Sequence, residues 1–326
     1  MIRRAARQND SSAITCSRPH RRSRQLRLAF FGTPALAVPT LVALDDAGHD
    51  VTLVISGPDR RRTRRGEPTP SPVKAAALAR GLSVSDRVAD VSDSGSELGV
   101  VVAFGRLIPA GVLDLLPFVN LHLSILPRWR GAAPVERAIL AGDQESGVSI
   151  MALDVGLDTG DVYDTITTPI EPAETASALG SRLVDLGTRA LIDRLRDGLG
   201  GLGEARPQVG AATYAEKLTA RDRVVDFDEP AEVCNRVVRI GRASSIFRGE
   251  PLIIHRAEVV LEVPAPPQAP GTLVGDVVAT GLGGLRLIEV QAAGRRVQPF
   301  AEFARGARVV DGEMLVAPTA AGPPPG

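Results

Sequence analysis

The chain has 326 residues, 44% of them hydrophobic and 23% charged, and its 38 basic and 38 acidic side chains cancel to a formal net charge of zero. That composition belongs to a folded protein long enough for two cores and excludes a disordered chain. It also excludes a helical membrane span, since no apolar run approaches the ~20 residues such a helix requires.

Zero net charge conceals an uneven distribution. Residues 1–26 hold Arg3, Arg4, Arg7, Arg18, Arg21, Arg22 and Arg24 against the single acid Asp10, and Arg60, Arg61, Arg62, Arg64 and Arg65 form a second cluster. Phosphate contacts depend on such local patches, so neutrality does not argue against a nucleic-acid partner. The first 26 residues lack the apolar core of a secretory signal and read as a disordered Arg-rich extension. A presequence-like arm or an RNA-contacting tail remain alternatives for them. Cys16 and Cys234 cannot build a disulfide framework and lack metal-ligand spacing, so a reducing compartment, the cytoplasm, and no metal are expected.

Ordered structure is expected from Arg27, where LRLAFFG gives a short strand ending in a glycine turn. Residues 34–48 then read as a helix closed by Gly48, and HDVTLVIS as the next strand. SPVKAAALARG is a helix capped by Ser71, with Pro72 at its first position and Gly81 as its stop. GLSVSD is a weak strand; GVVVAFG, apolar throughout, is what a central parallel strand requires. The apolar run LLPFVNLH fits a further strand ending near His122. Residues 174–199 carry apolar side chains at three- and four-residue spacing and predict a long amphipathic helix. Glycine and proline break the pattern, placing a linker at 203–212. Beyond a helix at 230–241, short alternating strands at 251–263, 271–284, 285–294 and 313–318 suggest a small barrel. PAPPQAP is a loop, and 317–326 a frayed tail.

Strands alternating with helices imply an α/β, Rossmann-like domain with a parallel sheet over residues 27–202, followed by a smaller barrel domain over 213–316. Ligands bind such sheets at the carboxyl ends of the strands, here Gly32 to Pro34, Phe104 to Arg106 and the turn from Asn120 to Pro127. FGTPALAV is not a dinucleotide fingerprint, so no nicotinamide or flavin is expected.

Asn120 and His122 lie two apart, so on an extended segment both point into one cleft. Asp158 follows within DVGLDTGD. An amine attacking a formyl carbon builds negative charge on the carbonyl oxygen and positive charge on its own nitrogen. Asn120 and His122 can donate to the first, and Asp158 can govern protons on the second. On spacing alone the alternative is a polar strand terminus and an ordinary turn aspartate.

NLHLSILPRWRGAAP (120–134) and AGDQESGVSIMALDVGLDTGDV (141–162) resemble the signature of the methionyl-tRNA formyltransferases, as do FFGTPALAVPTL, PDRRRTRRGEPTPSPVK and TYAEKL. The resemblance runs in consistent order over about residues 27–260. It implies formyl transfer from 10-formyltetrahydrofolate to methionyl initiator tRNA by a protein expected to be monomeric, with an OB-like carboxyl-terminal barrel helping to hold the tRNA. By the same resemblance Asn120 and His122 stabilise the oxyanion, Asp158 orients the proton path, and Ser124, Ile125, Leu126 and Pro127 form the folate-contacting turn. Arg60, Arg61, Arg62 and Arg64 would form a tRNA-binding loop. Two departures stand out: Leu123 replaces the family's glycine, so the turn is expected to be of the ordinary kind or slightly rearranged because Leu does not readily adopt positive φ, and residues 88–99 are short. An amino-sugar acceptor, or a catalytically silent RNA-binding protein on the same scaffold, are the competing readings.

Overall fold

A computed structural model of the chain describes residues 24–61, 66–261 and 268–318. Cys16, Arg62, Arg64, the amino-terminal extension through 23 and the tail from 319 lie outside them.

β1 (Arg27–Gly32) leads through a 3-10 turn into α1 (Val38–Asp46), and β2 (Asp50–Ile55) follows. A small hairpin pairs β3 (Arg60–Arg61) with β4 (Pro68–Thr69). α2 (Pro72–Ala79) starts where expected: Pro72 fills the first position, and the Ser71 hydroxyl accepts from the Lys74 amide at 3.0 Å, satisfying one of the free donors at a helix start. β5 (Val84–Ser85) is short. Residues 88–93 of the shortened segment form a 3-10 turn before β6 (Leu98–Val102), every residue of which is buried. α3 (Ala110–Leu113), β7 (Phe118–His122), β8 (Arg130–Gly131), α4 (Pro134–Ala141), β9 (Glu145–Ala152), β10 (Val162–Pro169) and the long α5 (Ala176–Leu195) complete this part.

The seven-stranded sheet runs β10-β9-β7-β6-β1-β2-β5. Five strands are parallel, but β9 pairs antiparallel with both β7 and β10, so the sheet is mixed rather than wholly parallel. Strand order reverses at β1, which sits between β2 and β6. The crevice beside such a reversal is where ligands enter these sheets.

The two faces differ in cover. Leu28, Phe30, Val100, Val119, Leu121, Val148 and Ile150 pack under α1, α2, α4 and α5 in one large core. The opposite face carries a smaller core, with Phe31, Ile55, Val101 and Phe118 beneath only the 88–93 turn and α3. Phe31 meets Phe104 and Phe118 edge-on at 5.5 and 5.4 Å, the geometry ring quadrupoles favour. Side chains alternate along β7, so Phe118, Asn120 and His122 share this thinly covered face.

The remaining chain contains β11 (Tyr214–Ala215), which pairs with β8, then α6 (Ala231–Arg239), β12 (Ala243–Phe247), β13 (Glu250–Val260), β14 (Leu273–Val274), β15 (Val277–Ala279), β16 (Gly284–Ala292), β17 (Gln298–Pro299), α7 (Phe300–Ala307) and β18 (Leu315–Val316). The antiparallel sheet β14-β15-β16-β13-β12-β18 closes on itself. Thr272 bridges Met314, the Leu273 amide donates to Glu313 at 2.7 Å, and the Leu315 amide donates to Gly271 at 2.8 Å. Closure removes the open edges that an isolated sheet would leave. Phe247, Leu252, Ile254, Leu285, Leu287, Val290 and Phe303 fill its interior.

α1 and α5 are joined inside the larger core by the Thr40 and Thr188 hydroxyls, 2.7 Å apart and both buried. Thr188→Val removes one partner and leaves the other hydroxyl in apolar surroundings, which costs about 1–3 kcal/mol. The double Thr40→Val, Thr188→Val variant is expected to be more stable than that single variant in urea unfolding.

Candidate active site

β7 delivers Asn120 and His122 to the thin face, and they remain only 9% and 6% exposed. The row Phe31, Val101, Asn120, Met151 is set by strand register, so Asn120 interrupts an otherwise apolar row. Its amide has no hydrogen-bond partner among the described residues, yet no fully enclosed side-chain polar atom there lacks one. The Asn120 amide therefore reaches solvent in the cleft, with its donors and acceptor unspent.

His122 is held from one side. Its Nε2 lies 2.8 Å from the carbonyl oxygen of Trp129. A carbonyl can only accept, so Nε2 carries a hydrogen and donates it. Nδ1 is left as the nitrogen at which a proton can arrive or depart. It faces Asp158 Oδ2 at 3.6 Å, beyond a direct hydrogen bond, with both side chains mostly buried.

Asp158 reaches this position from the loop between β9 and β10, which folds back over the sheet. The Asp154 carboxylate accepts from the Gly156 amide at 2.9 Å and the Thr159 hydroxyl at 2.6 Å, a local turn of the kind aspartate favours. A Cβ on Gly160 would lie 2.0 Å from the Ala152 carbonyl oxygen, so only glycine allows the return to β10. Asp158 itself has φ +52°, a left-handed conformation that aspartate tolerates better than most residues. Its Oδ2 also accepts from the Gly131 amide at 2.8 Å, a fixed dipole that holds the carboxylate in place.

The same short stretch of backbone thus serves both groups, and its own conformation is unusual. Trp129 has φ +62° and Gly131 φ +120°, and a Cβ on Gly131 would approach the Ala215 carbonyl to 2.8 Å. Side chains brace it. The Trp129 amide donates to Thr213 Oγ1 at 2.9 Å, its indole Nε1 donates to Asp143 at 2.8 Å, and Arg128 both pairs with Asp143 and stacks 4.5 Å over the indole. Leu123, by contrast, is buried in ordinary backbone, as its side chain demanded. The left-handed positions fall at Trp129 and Gly131 instead.

The turn from Ser124 to Pro127 lies beside the cleft. The Ser124 hydroxyl donates to the Arg128 carbonyl at 2.6 Å. Ser149 Oγ, fully buried on β9, donates to the Ser124 carbonyl at 2.8 Å and accepts from the Leu126 amide at 3.2 Å. Ile125 and Pro127 stay half-buried, so the turn offers chiefly apolar surface. Exposed Leu107, Val155 and Leu157 sit on the loops after β6 and β9 that border the site. Arg60 and Arg61 are exposed on their hairpin, with Arg62 and Arg64 of the same loop outside the described residues.

Ser149, Trp129, Gly131, Asp143, Gln208 and Thr213 were not singled out from the sequence. All but Gln208 lie inside the family-like segments 120–134, 141–162 and 213–218, and Trp129 is also the only tryptophan in the chain. Among the described residues no group of three His, Cys, Asp or Glu is placed to hold a metal ion. Nor is any helix among them long and apolar enough to cross a membrane.

Behind Trp129 opens a second cleft of about 590 Å³, lined by Trp129, Arg137, Leu140, Tyr214, Thr219 and Asp222. Arg137 and Asp222 pair there at 2.6 Å. Burial alone would push the Asp222 carboxyl up, but Arg137 and two bonds from Thr219 outweigh it and hold the carboxyl down at about 2. Its folded value lies below the ~3.9 of an unfolded aspartate, so the stabilisation is complete above about pH 4 and is lost as pH falls through about 2. Asp222→Asn should therefore cost about 1–2 kcal/mol at pH 7, with the difference between the two proteins shrinking toward zero near pH 2 in denaturant titrations.

The formyl transferase family model matches residues 26–195. Over 311 residues the chain is 44% identical to a methionyl-tRNA formyltransferase from Thermus thermophilus, spanning 89% of this chain and 99% of that protein. It is 39% identical to the enzyme of the same name from Heliobacterium modesticaldum, over 88% of this chain and 99% of that one. Among solved structures, a methionyl-tRNA formyltransferase from Clostridium thermocellum superimposes with a TM-score of 0.54 at 17% identity, covering 72% of this chain and 93% of its own. An N-formyltransferase from Helicobacter canadensis, in complex with folinic acid and dTDP-3-aminofucose, gives a TM-score of 0.62 at 17% identity over 83% of this chain and the whole of that one. These two likenesses concern the fold.

Proposed function

The chain belongs to the methionyl-tRNA formyltransferase family, and from that premise we propose that it moves the formyl group of 10-formyltetrahydrofolate onto the α-amine of methionyl initiator tRNA, with Asn120, His122 and Asp158 at the reacting centre. The observation that carries the assignment of the centre is the pairing of a free Asn120 amide with a His122 whose Nδ1 faces Asp158 at 3.6 Å on one open sheet face.

The chemistry has two demands. A carbon–nitrogen bond forms between the amine and the formyl carbon as the bond from that carbon to folate N10 breaks, and the proton lost by the amine ends on N10. Asn120 and His122 donate to the oxygen while it carries negative charge, and donors fixed in advance do this without reorganisation. Asp158 faces His122 Nδ1 at 3.6 Å and can accept from the attacking ammonium, while a proton on Nδ1 is what lets His122 donate to the oxygen. The apolar surface of Ile125, Leu126 and Pro127 receives the pterin, with Ser124 and Ser149 holding the turn in shape.

Residues 27–202 carry this chemistry, and the barrel over 213–316 helps hold the tRNA. Arg60, Arg61, Arg62 and Arg64 contact phosphates at the acceptor end through guanidinium forks. Exposure of Arg60 and Arg61 supports that role. A cytoplasmic location goes with this reading, because ribosomes there consume the product.

With a radiolabelled formyl donor, label is expected on charged initiator tRNA and not on uncharged tRNA or a nucleotide-linked amino sugar; transfer to the sugar would replace the acceptor while keeping the chemistry. Asp158→Asn should fold normally and lose about 10²- to 10⁴-fold in turnover, and near-normal turnover would remove Asp158 from the mechanism. Neutralising Arg60 and Arg61 together should raise KM for charged tRNA and flatten its salt dependence by about 0.7–0.9 log units for each arginine–phosphate pairing removed. Slow hydrolysis of the formyl donor should be unaffected, and equal loss of both activities would count against a tRNA role.

A further inference from the structure

The stretch at 203–212, glycine- and proline-rich as a linker should be, is bonded along both sides. Arg206 exchanges backbone hydrogen bonds with Val162 at 2.9 and 2.8 Å, and the Thr213 amide donates to the Pro127 carbonyl at 3.2 Å. Arg206, Pro207, Val209 and Gly210 are exposed, whereas Gln208 between them turns inward.

Gln208 makes four hydrogen bonds with one amide. Its Nε2 donates to the carbonyls of Asp158 at 2.8 Å and Gly160 at 2.9 Å. Its Oε1 accepts from Arg130 Nε at 3.1 Å and Nη2 at 2.7 Å. Only a primary amide can do both: a carboxylate cannot donate to the two carbonyls, and a lysine or arginine cannot accept from the guanidinium. The carbonyls belong to the return of the Asp158 loop, where φ is +52°, and Arg130 lies between Trp129 and Gly131, whose backbone holds His122 and the Asp158 carboxylate.

We propose that Gln208 is a positioning residue for formyl transfer: it ties the Asp158 backbone, through the Arg130 guanidinium, to the Trp129–Gly131 stretch and so fixes the separation of the Asp158 carboxylate from His122 Nδ1. The proposal rests on the assignment of Asp158 and His122 above, and makes the connecting segment part of the active site. Gln208 touches no reacting atom, so its loss should act on turnover through Asp158.

The test compares Gln208→Ala, which removes both links, with Gln208→Glu, which keeps the acceptor for Arg130 and removes the donors to the loop. Both full-length variants are expected to lose about 10- to 100-fold in kcat, the range for residues that orient catalytic groups, with KM for the folate donor changed by less than about threefold. Asp158→Asn should make Gln208→Ala almost silent, adding less than about twofold, because coupled residues are not additive. Exchange of the Gly131 amide, protected by the Asp158 carboxylate, should accelerate in both Gln208 variants while that of core amides in β6 does not. Full activity in Gln208→Glu would overturn the proposal in favour of simple docking of Arg130. Multiplicative losses in the double variant, or unchanged Gly131 exchange, would overturn it as well. Near-normal turnover in Asp158→Asn alone would instead remove the reading on which it rests.

Discussion

Three residues of backbone, Trp129 to Gly131, set the geometry at the end of β7. The Trp129 carbonyl takes the hydrogen on His122 Nε2, and the Gly131 amide takes Asp158 Oδ2. Both bonds are made with positive φ at Trp129 and Gly131, which for a tryptophan costs on the order of 1–3 kcal/mol. That cost is tolerable only because Thr213, Asp143 and Arg128 brace the indole and its backbone from outside. By taking Nε2 out of play, the loop decides which imidazole nitrogen faces the carboxylate. Gly131 is tied to glycine twice, by its φ and by the carbonyl of Ala215 lying where a Cβ would be.

The asymmetry of the sheet explains why such a site fits here. Four helices, among them the long α5, seal one face with a continuous aliphatic core, and that face supplies the rigidity. The other face carries only short turns, leaving room for a loop to fold back and for a ligand to approach Asn120. Register does the rest, since alternation along β7 puts Val119 and Leu121 into the core and Asn120 and His122 into the cleft. The Ile125 to Pro127 turn presents apolar surface once Ser149 has satisfied its buried backbone groups, which is what the proposed seat of a flat pterin requires.

What could be read directly from the residues was what is locally encoded. The Ser71 cap with Pro72, the glycine stops at Gly48 and Gly81, and the apolar run of β6 each carry their own signal over a few positions. The barrel was legible as turn-punctuated strands, but its closure joins Thr272 to Met314 between the two ends of the strand order and has no local mark. β9 and β10 passed unread because ESGVSIMA and VYDTITTP mix polar and apolar residues without turn punctuation, and their antiparallel pairing is a tertiary outcome. Asn120, His122 and Asp158 stood out through residue type and family resemblance, whereas Ser149 and Gln208 look like any strand serine and any linker glutamine. Their significance comes only from what the fold brings against them. Leu123 illustrates the reverse case: of an ordinary or a slightly rearranged turn, the backbone at Leu123 itself is ordinary, and the left-handed positions lie at Trp129 and Gly131.

The central claim is that the formyl group reacts between Asn120, His122 and Asp158, and a crystal structure of the protein with a non-transferable 10-formylfolate analogue tests it most directly. The account predicts the formyl oxygen within about 3 Å of the Asn120 amide nitrogen or His122 Nδ1, with the pterin against Ile125 and Leu126. A formyl group seated instead in the cleft behind Trp129, out of reach of all three residues, would contradict it.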